Sequence, residues 1–129
     1  MKVELLAACD FAQDNFGKLT IVGVFDAINV RALPAKHPYM CIAVRMRYMM
    51  YELGKHSLRI EIRDPNDELL IQPFEGQIDV STIEVDSGVR NVVLNHIGME
   101  FREFGRHRIK IYFDGKEEAE IPLYVNRAE

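Results

Sequence analysis

Three carboxylates near the start of the chain are the first side chains whose type and spacing could support chemistry. Asp10, Asp14 and Asp26 bracket a predicted hairpin, so we expect them to converge at one end of it. Several oxygen ligands from one region are what a hard cation such as Ca²⁺ needs. Their spacing matches no calcium-binding loop, and Asp14 with Asn15 is also typical of a turn cap. A metal-dependent site for a carbohydrate or another ligand, in a binding protein or a small enzyme, is therefore one hypothesis.

The histidines, cysteines, serines and glycines do not follow a catalytic or cofactor-binding pattern. Metal ligands usually come at short fixed spacing, as in His-x-His or Cys-x-x-Cys, and the sequence has neither. The glycines are dispersed, so no phosphate-binding loop is predicted. Ser81 and Ser87 have no nearby His to activate them. Apart from the three carboxylates, the sequence predicts no catalytic residue, no cofactor and no metal ligand.

The segment that ends in Met49, Met50 and Tyr51 is a candidate interface. Alternation of apolar and polar residues fails there, so the large side chains either point outward or fold into the core at a bulge. Flexible methionine beside tyrosine is typical of surfaces that bind proteins. If these three residues point outward, we expect them to contact a protein partner or a second copy of the chain.

Charge is unevenly distributed along the sequence. The formal net charge is −4, which is the wrong sign for a protein dedicated to nucleic acid. Residues 36–63 carry six basic and two acidic side chains, whereas residues 64–86 carry seven acids and no Lys or Arg. This asymmetry would favour attraction between two copies. Six basic side chains could share one face: Arg45, Arg47, Arg59, Arg63, Arg108 and Lys110. RNA-binding surfaces interleave such cations with stacking aromatics, but the sequence has no Trp and only Tyr112 on the penultimate strand.

The elements that must position these residues are β-strands, because apolar residues recur at every second position through most of the chain. The pattern predicts eight or nine short strands with frequent turns. Such spacing is typical of a two-layer antiparallel β-sandwich of immunoglobulin-like or Greek-key type. The 129 residues suffice for one core, so residues 1–129 are predicted to be a single all-β domain.

Several strands have specific predicted positions. Val3 to Phe11 alternates as a first strand, and residues 18–30 are predicted to be one central strand. Residues 31–38, with two prolines, are predicted to carry the chain from one sheet to the other. Pro122 argues that the closing strand lies at an edge or a bulge. Residues 53–62 and 104–113 share an apolar-Gly-basic-His start, and we expect one such hairpin in each sheet.

A set of short segments spread over nearly the whole chain carries a family resemblance: Lys2-Val3-Glu4-Leu5, Cys9-Asp10-Phe11-Ala12-Gln13-Asp14-Asn15, Gly17 to Asp26, His37-Pro38, Gly54 with Asp64-Pro65, and Gly105 with Asp114-Gly115 and Ile121-Pro122-Leu123. In these segments the sequence resembles a family of short bacterial proteins classed as a domain of unknown function. The resemblance implies a cytoplasmic, all-β, single-domain bacterial protein. It implies no activity, cofactor or catalytic residue.

The start of the sequence does not predict an export signal, because Glu4 follows Lys2 and the apolar run ends at Asp10. No apolar run is long enough to span a membrane. Two cysteines are too few for a disulfide scaffold and fit the reducing cytoplasm. The sequence therefore favours a cytoplasmic, non-catalytic binding or scaffold module that contacts a protein partner or itself as a homodimer. Nucleic acid is not a predicted partner.

Overall fold

The structure, a computed structural model, describes residues 1–80 and 86–129, and these form two β-sheets packed face to face. The four-stranded sheet contains, in chain order, β1 (Lys2–Asn15), β2 (Lys18–Phe25), β4 (Ala35–Met49) and β7 (Ser87–Phe101). The five-stranded sheet contains β3 (Ala27–Val30), β5 (Gly54–Arg63), β6 (Phe74–Val80), β8 (Gly105–Phe113) and β9 (Lys116–Arg127). The predicted all-β sandwich with eight or nine strands is confirmed. Most of the predicted acidic loop, residues 81–87, lies outside the described residues.

The strand order is β2-β1-β4-β7 in the first sheet and β3-β9-β8-β5-β6 in the second. All neighbouring pairs are antiparallel except β3 and β9, which are parallel. The core lies between the sheets. It contains alternate residues of β4 and the predicted inward residues of β5 and β8: Leu58, Ile60, Ile62, Ile109, Ile111 and Phe113.

A β-bulge in β1 makes part of its predicted register wrong. The pairing with β4 shifts between Val3 and Leu5, so the residues after the bulge change faces. Ala8 belongs to the main core, whereas Cys9 belongs to a second apolar cluster that also contains Leu5. A single inserted residue reverses the facing of every later side chain, and period-two alternation alone cannot show it.

The β1–β2 hairpin folds across the outer side of its own sheet. Its turn has Phe16 at φ 52° and Gly17 at φ 85°, as a type I′ turn requires. The Asn91 side-chain amide on β7 donates hydrogen bonds to Asp14 Oδ1 (2.9 Å) and to the Gly17 carbonyl oxygen (3.1 Å). Because β4 lies between β1 and β7, the hairpin tip must cross β4 to make these contacts. The hairpin tip thereby helps to bury Cys41. This side chain is fully buried although its neighbours Met40 and Ile42 belong to the main core on the other face of β4.

The predicted single strand over residues 18–30 is instead two strands in different sheets. β2 is an edge strand of the first sheet, and the chain bends at Asp26 so that β3 joins the second sheet beside β9. Residues 31–34 then return the chain to the first sheet. The predicted connection between sheets is therefore correct in role, but it ends four residues early because Pro38 lies within β4.

Pro122 lies at neither the predicted edge nor the predicted bulge: β9 lies between β3 and β8, and the bulge in the β8–β9 ladder is at Ile111–Tyr112. Pro122 is opposite Arg108 of β8, but β3 pairs only with residues Tyr124 to Arg127 of β9. At Pro122, the edge of β9 that faces away from β8 therefore has no hydrogen bonds with β3. The missing backbone N–H of the proline is tolerated on that edge.

The two segments with matching starts lie in one sheet, not one in each. β5 and β8 are antiparallel neighbours, and each begins at a glycine with positive φ, Gly54 at 114° and Gly105 at 124°. The turn after each strand lies beside the start of the other. The Asp114 N–H donates to the Ser57 carbonyl oxygen at 3.0 Å, while the Pro65 ring lies where a Cβ on Gly105 would contact it.

Ile111→Ala tests the register of β8. Ile111 is fully buried between the sheets, so the substitution should lower the free energy of unfolding by about 2–5 kcal/mol. Lys110→Ala is the matched control, because Lys110 lies on the opposite face in an ion pair with Glu117 and should cost less than about 1 kcal/mol. Urea denaturation measures both, and equal losses would contradict the register.

Candidate functional site

The three carboxylates that suggested a cation site are not brought together. Asp14 accepts a hydrogen bond from Asn91, and Asp10 lies where a Cβ on Gly23 would collide with it. Asp26 lies at the bend between β2 and β3, where its carbonyl oxygen accepts the Tyr124 N–H at 2.7 Å. Within residues 1–80 and 86–129, no three His, Cys, Asp or Glu side chains are grouped to hold a metal. The prediction that these carboxylates converge is wrong, because Asp14 is opposite Leu19 near the hairpin turn, whereas Asp26 follows the other end of β2.

The six basic side chains do not share a face. Arg45 and Arg47 lie on the four-stranded sheet, where both contact Glu4. The other four lie on the five-stranded sheet and form ion pairs there. Glu61, which is only 3% exposed, accepts hydrogen bonds from Arg59 (2.7 Å) and Arg63 (3.0 Å). These pairs lower the pKa of the Glu61 carboxyl against the desolvation that raises it, and they make this surface a set of matched charges rather than an anion site.

The two histidines at matching positions have opposite environments. His107 is fully buried against the edge of Phe101, with ring centroids 5.3 Å apart, and desolvation lowers its pKa. His56 is placed between two oxygen atoms, with Nδ1 2.8 Å from Asp114 Oδ2 and Nε2 2.6 Å from the Glu52 carbonyl oxygen. The hydrogen bond with Asp114, followed by the one with Glu52, raises the pKa of His56. An imidazole with both nitrogens engaged in this way holds structure rather than acting as a free base.

Two residues of the segment predicted as an interface lie on a 3₁₀ turn, Met50–Glu52, whose Glu52 carbonyl oxygen is hydrogen-bonded to His56. Met50 and Tyr51 are 57% and 82% exposed, whereas Met49 is half-buried at the end of β4. The turn is also tied to the start of β7, since the Met50 N–H donates to the Asp86 carbonyl oxygen at 3.3 Å. Two of the three predicted residues therefore point outward, and the third is partly covered.

One long strand edge is open. β7 pairs with β4 from Ser87 to Phe101, and within residues 1–80 and 86–129 no strand pairs with its other side. Its central run, Asn91-Val92-Val93-Leu94-Asn95-His96-Ile97, contains no charged residue, no proline and no glycine. Natural proteins protect edges with charges, prolines, bulges or short strands. This run has none of these protections until Gly98, which has φ 65°.

Apolar side chains and a cleft accompany this open edge. Ile97 is 83% exposed and pairs with Tyr39, which is itself exposed. Between β7 and residues 71–74 lies a cleft of about 430 Å³, lined by Ile60, Ile62, Ile71, Phe74, Leu94 and His96 among others. The buried Nε2 of His96 has no hydrogen-bond partner, and burial lowers the pKa of this histidine. The candidate site is therefore the β7 edge, defined as residues 88–98 with the adjoining cleft.

Sequence reasoning missed the β7 edge because it assigned the open edge to the closing strand. The available signal was the uncharged run from Asn91 to Ile97, which contains three β-branched residues and lacks glycine and proline. Whether such a run is central or at an edge depends on strand order, which the residue pattern does not specify.

Comparisons with known proteins agree with the fold. A crystal structure of beta-glucosidase from Listeria innocua matches with a TM-score of 0.55 and 9% identity, over 97% of this chain and 15% of that chain. The same enzyme in complex with glucose matches with a TM-score of 0.54 and 10% identity, over the same shares of each chain. This chain thus spans about 15% of the length of those structures. At such identity the likeness shows a shared fold alone.

The fold defines the class of protein, a two-layer β-sandwich domain. The chain belongs to the family of unknown function DUF6941, whose model matches residues 4–126. The predicted family resemblance is thereby confirmed. No curated protein matches the sequence. Among the described residues, no helix has the length and apolar character needed to cross a membrane.

The His56–Asp114 pair predicts a pH-dependent stability. Because the folded state raises the pKa of His56 above its unfolded value near 6.5, this contribution is full below about pH 6 and is lost as pH rises through the folded pKa. The unfolding midpoint of the wild type should therefore fall more between about pH 6 and about pH 9 than that of His56→Gln. Equal pH slopes in urea denaturation would show that the pair contributes nothing.

Proposed function

We propose that this domain is a non-catalytic binding module that recognises a protein partner by adding a strand to the β7 edge. The observation that carries the proposal is the uncharged run of seven edge residues, Asn91 to Ile97, whose second side is open among the described residues. Exposed edges of this kind recruit an extended segment through main-chain hydrogen bonds.

The cleft beside β7 supports a protein ligand. Strand addition takes its affinity from backbone bonds and its specificity from pockets that receive alternate side chains of the added strand. The cleft of about 430 Å³ opens beside Leu94 and His96, so it lies where such side chains would enter. The walls of the cleft are mainly apolar, and Gln72, Asn95 and His96 are the polar residues that line it.

The polar groups elsewhere support a role without catalysis. His56 is engaged on both nitrogens, and His107 is buried among apolar side chains. Cys9 and Cys41 are free thiols buried opposite each other on neighbouring strands. Desolvation raises the pKa of the Cys9 thiol, which disfavours the reactive thiolate. Two buried free thiols also support the bacterial cytoplasm, a reducing compartment, as the location in this proposal.

Peptide selection tests the proposed function. A library of random extended peptides displayed on phage should give binders rich in β-branched and aromatic residues when selected on the wild-type domain. Ile97→Lys places a charge at the edge and should weaken these binders by about 10-fold or more. Val24→Lys is the matched control, because Val24 is 65% exposed on β2, the opposite edge strand of the same sheet. Binders that tolerate Ile97→Lys, or an absence of binders to a domain that is itself monomeric, would contradict the proposal.

A further inference from the structure

We propose that the partner fitted to the β7 edge is a second copy of this chain, with the two β7 strands antiparallel about a twofold axis at Val93. This inference rests on the proposed function, since it names the occupant of the same edge. The pairing would join two four-stranded sheets into one continuous eight-stranded sheet. The argument comes from the order of residues along β7.

The sequence of β7 is close to a palindrome of residue types centred on Val93. Reading outward from Val93, Val92 matches Leu94 and Asn91 matches Asn95. The next matched positions are basic or imidazole side chains, then β-branched side chains, then glycines: Arg90 with His96, Val89 with Ile97, and Gly88 with Gly98. In an antiparallel pair centred on Val93, each residue lies opposite its match in the second copy. Every cross-strand pair over residues 88–98 therefore joins residues of the same or a related type.

The faces of the two sheets also agree in this register. Val92 and Leu94 pack partly against the main core, whereas Val93 packs against the second cluster on the outer side. Residues opposite each other share the same parity, so Val92 of one copy meets Leu94 of the other on the core side. Each of these half-buried side chains would gain the apolar neighbour that an edge strand lacks. Asn91 and Asn95 would meet on the outer side, where the Asn95 amide nitrogen can donate to Asn91 Oδ1 of the second copy, since the Asn91 amide nitrogen already donates to Asp14 and Gly17.

No like charges oppose each other in the central pairs. The one charged residue of the paired segment 88–98 is Arg90, which faces His96 of the second copy, and burial disfavours the charged form of this histidine. Ile97, the exposed large apolar side chain of β7, faces Val89 of the second copy. The 3₁₀ turn with Met50 and Tyr51 lies at the Ser87 end of β7. It would therefore flank the Gly98 end of the second copy, which places the predicted interface residues at the rim.

A charge-swap experiment tests both the partner and the register. The double variant Val89→Lys/Ile97→Lys places Lys opposite Lys at both ends of the pair, and Val89→Glu/Ile97→Glu places Glu opposite Glu. At about 100 μM, wild type should have twice the 14.9 kDa mass of one chain by light scattering. Each double variant alone should be monomeric, with a dissociation constant raised by about 100-fold. An equimolar mixture should restore the dimer as a heterodimer, seen by native mass spectrometry, because each Lys then faces a Glu.

Circular dichroism melting of each double variant distinguishes lost association from lost folding, and recovery of the heterodimer itself requires folded chains. Val24→Lys is the control on the opposite edge and should leave the dimer intact. A monomeric wild type that still binds selected peptides would overturn the second copy as partner and leave the proposed function standing. A wild-type dimer that survives both double variants, or a mixture that stays monomeric, would overturn the β7 register.

Discussion

The burial of both faces of β4 is the constraint on which the rest of this structure depends. Five consecutive residues, Met40 to Val44, are fully inaccessible to solvent. One face of the strand packs against the five-stranded sheet, and the other is covered by the folded β1–β2 hairpin. A strand that is apolar on both sides must have neighbours on both edges and cover on both faces. The position of β4 between β1 and β7, and the crossing of the hairpin tip to Asn91, satisfy these needs together.

Local residue patterns predicted much of the fold because they report directly on side-chain facing and turn chemistry. The alternation in β5 and β8 gave the correct inward residues, such as Ile60 and Ile111, and Gly17 has the positive φ expected of its turn. The patterns could not predict where strands pair. The break at Asp26 and the central position of β9 both depend on contacts between segments far apart in sequence. The bulge after Val3 is likewise invisible to period-two counting.

The candidate site was less predictable than the fold for the same reason. The failure of alternation is a local signal that left two outcomes open for Met50 and Tyr51, and both side chains are exposed in the structure. Strand order determines that β7 is an edge strand, and the pairing of β1 with β2 determines how far apart Asp10, Asp14 and Asp26 lie. The matching starts of β5 and β8 predicted related local structure but not that the strands are neighbours. Sequence similarity between two segments constrains their shape more than their placement.

The glycine at position 23 bears on how large an assembly this sheet can build. A four-stranded sheet has two outer strands, and growth through both of them would give fibres of unlimited length. On β2, Gly23 has φ 69° and does not pair with Asp10, so the strand is interrupted in its middle and is poorly suited to pairing with another strand. Of the two outer strands of this sheet, β7 is the one with a long regular edge among the described residues. In the proposed assembly the four-stranded sheet would therefore pair through β7 and not through β2, and pairing through one edge gives a closed dimer rather than a filament.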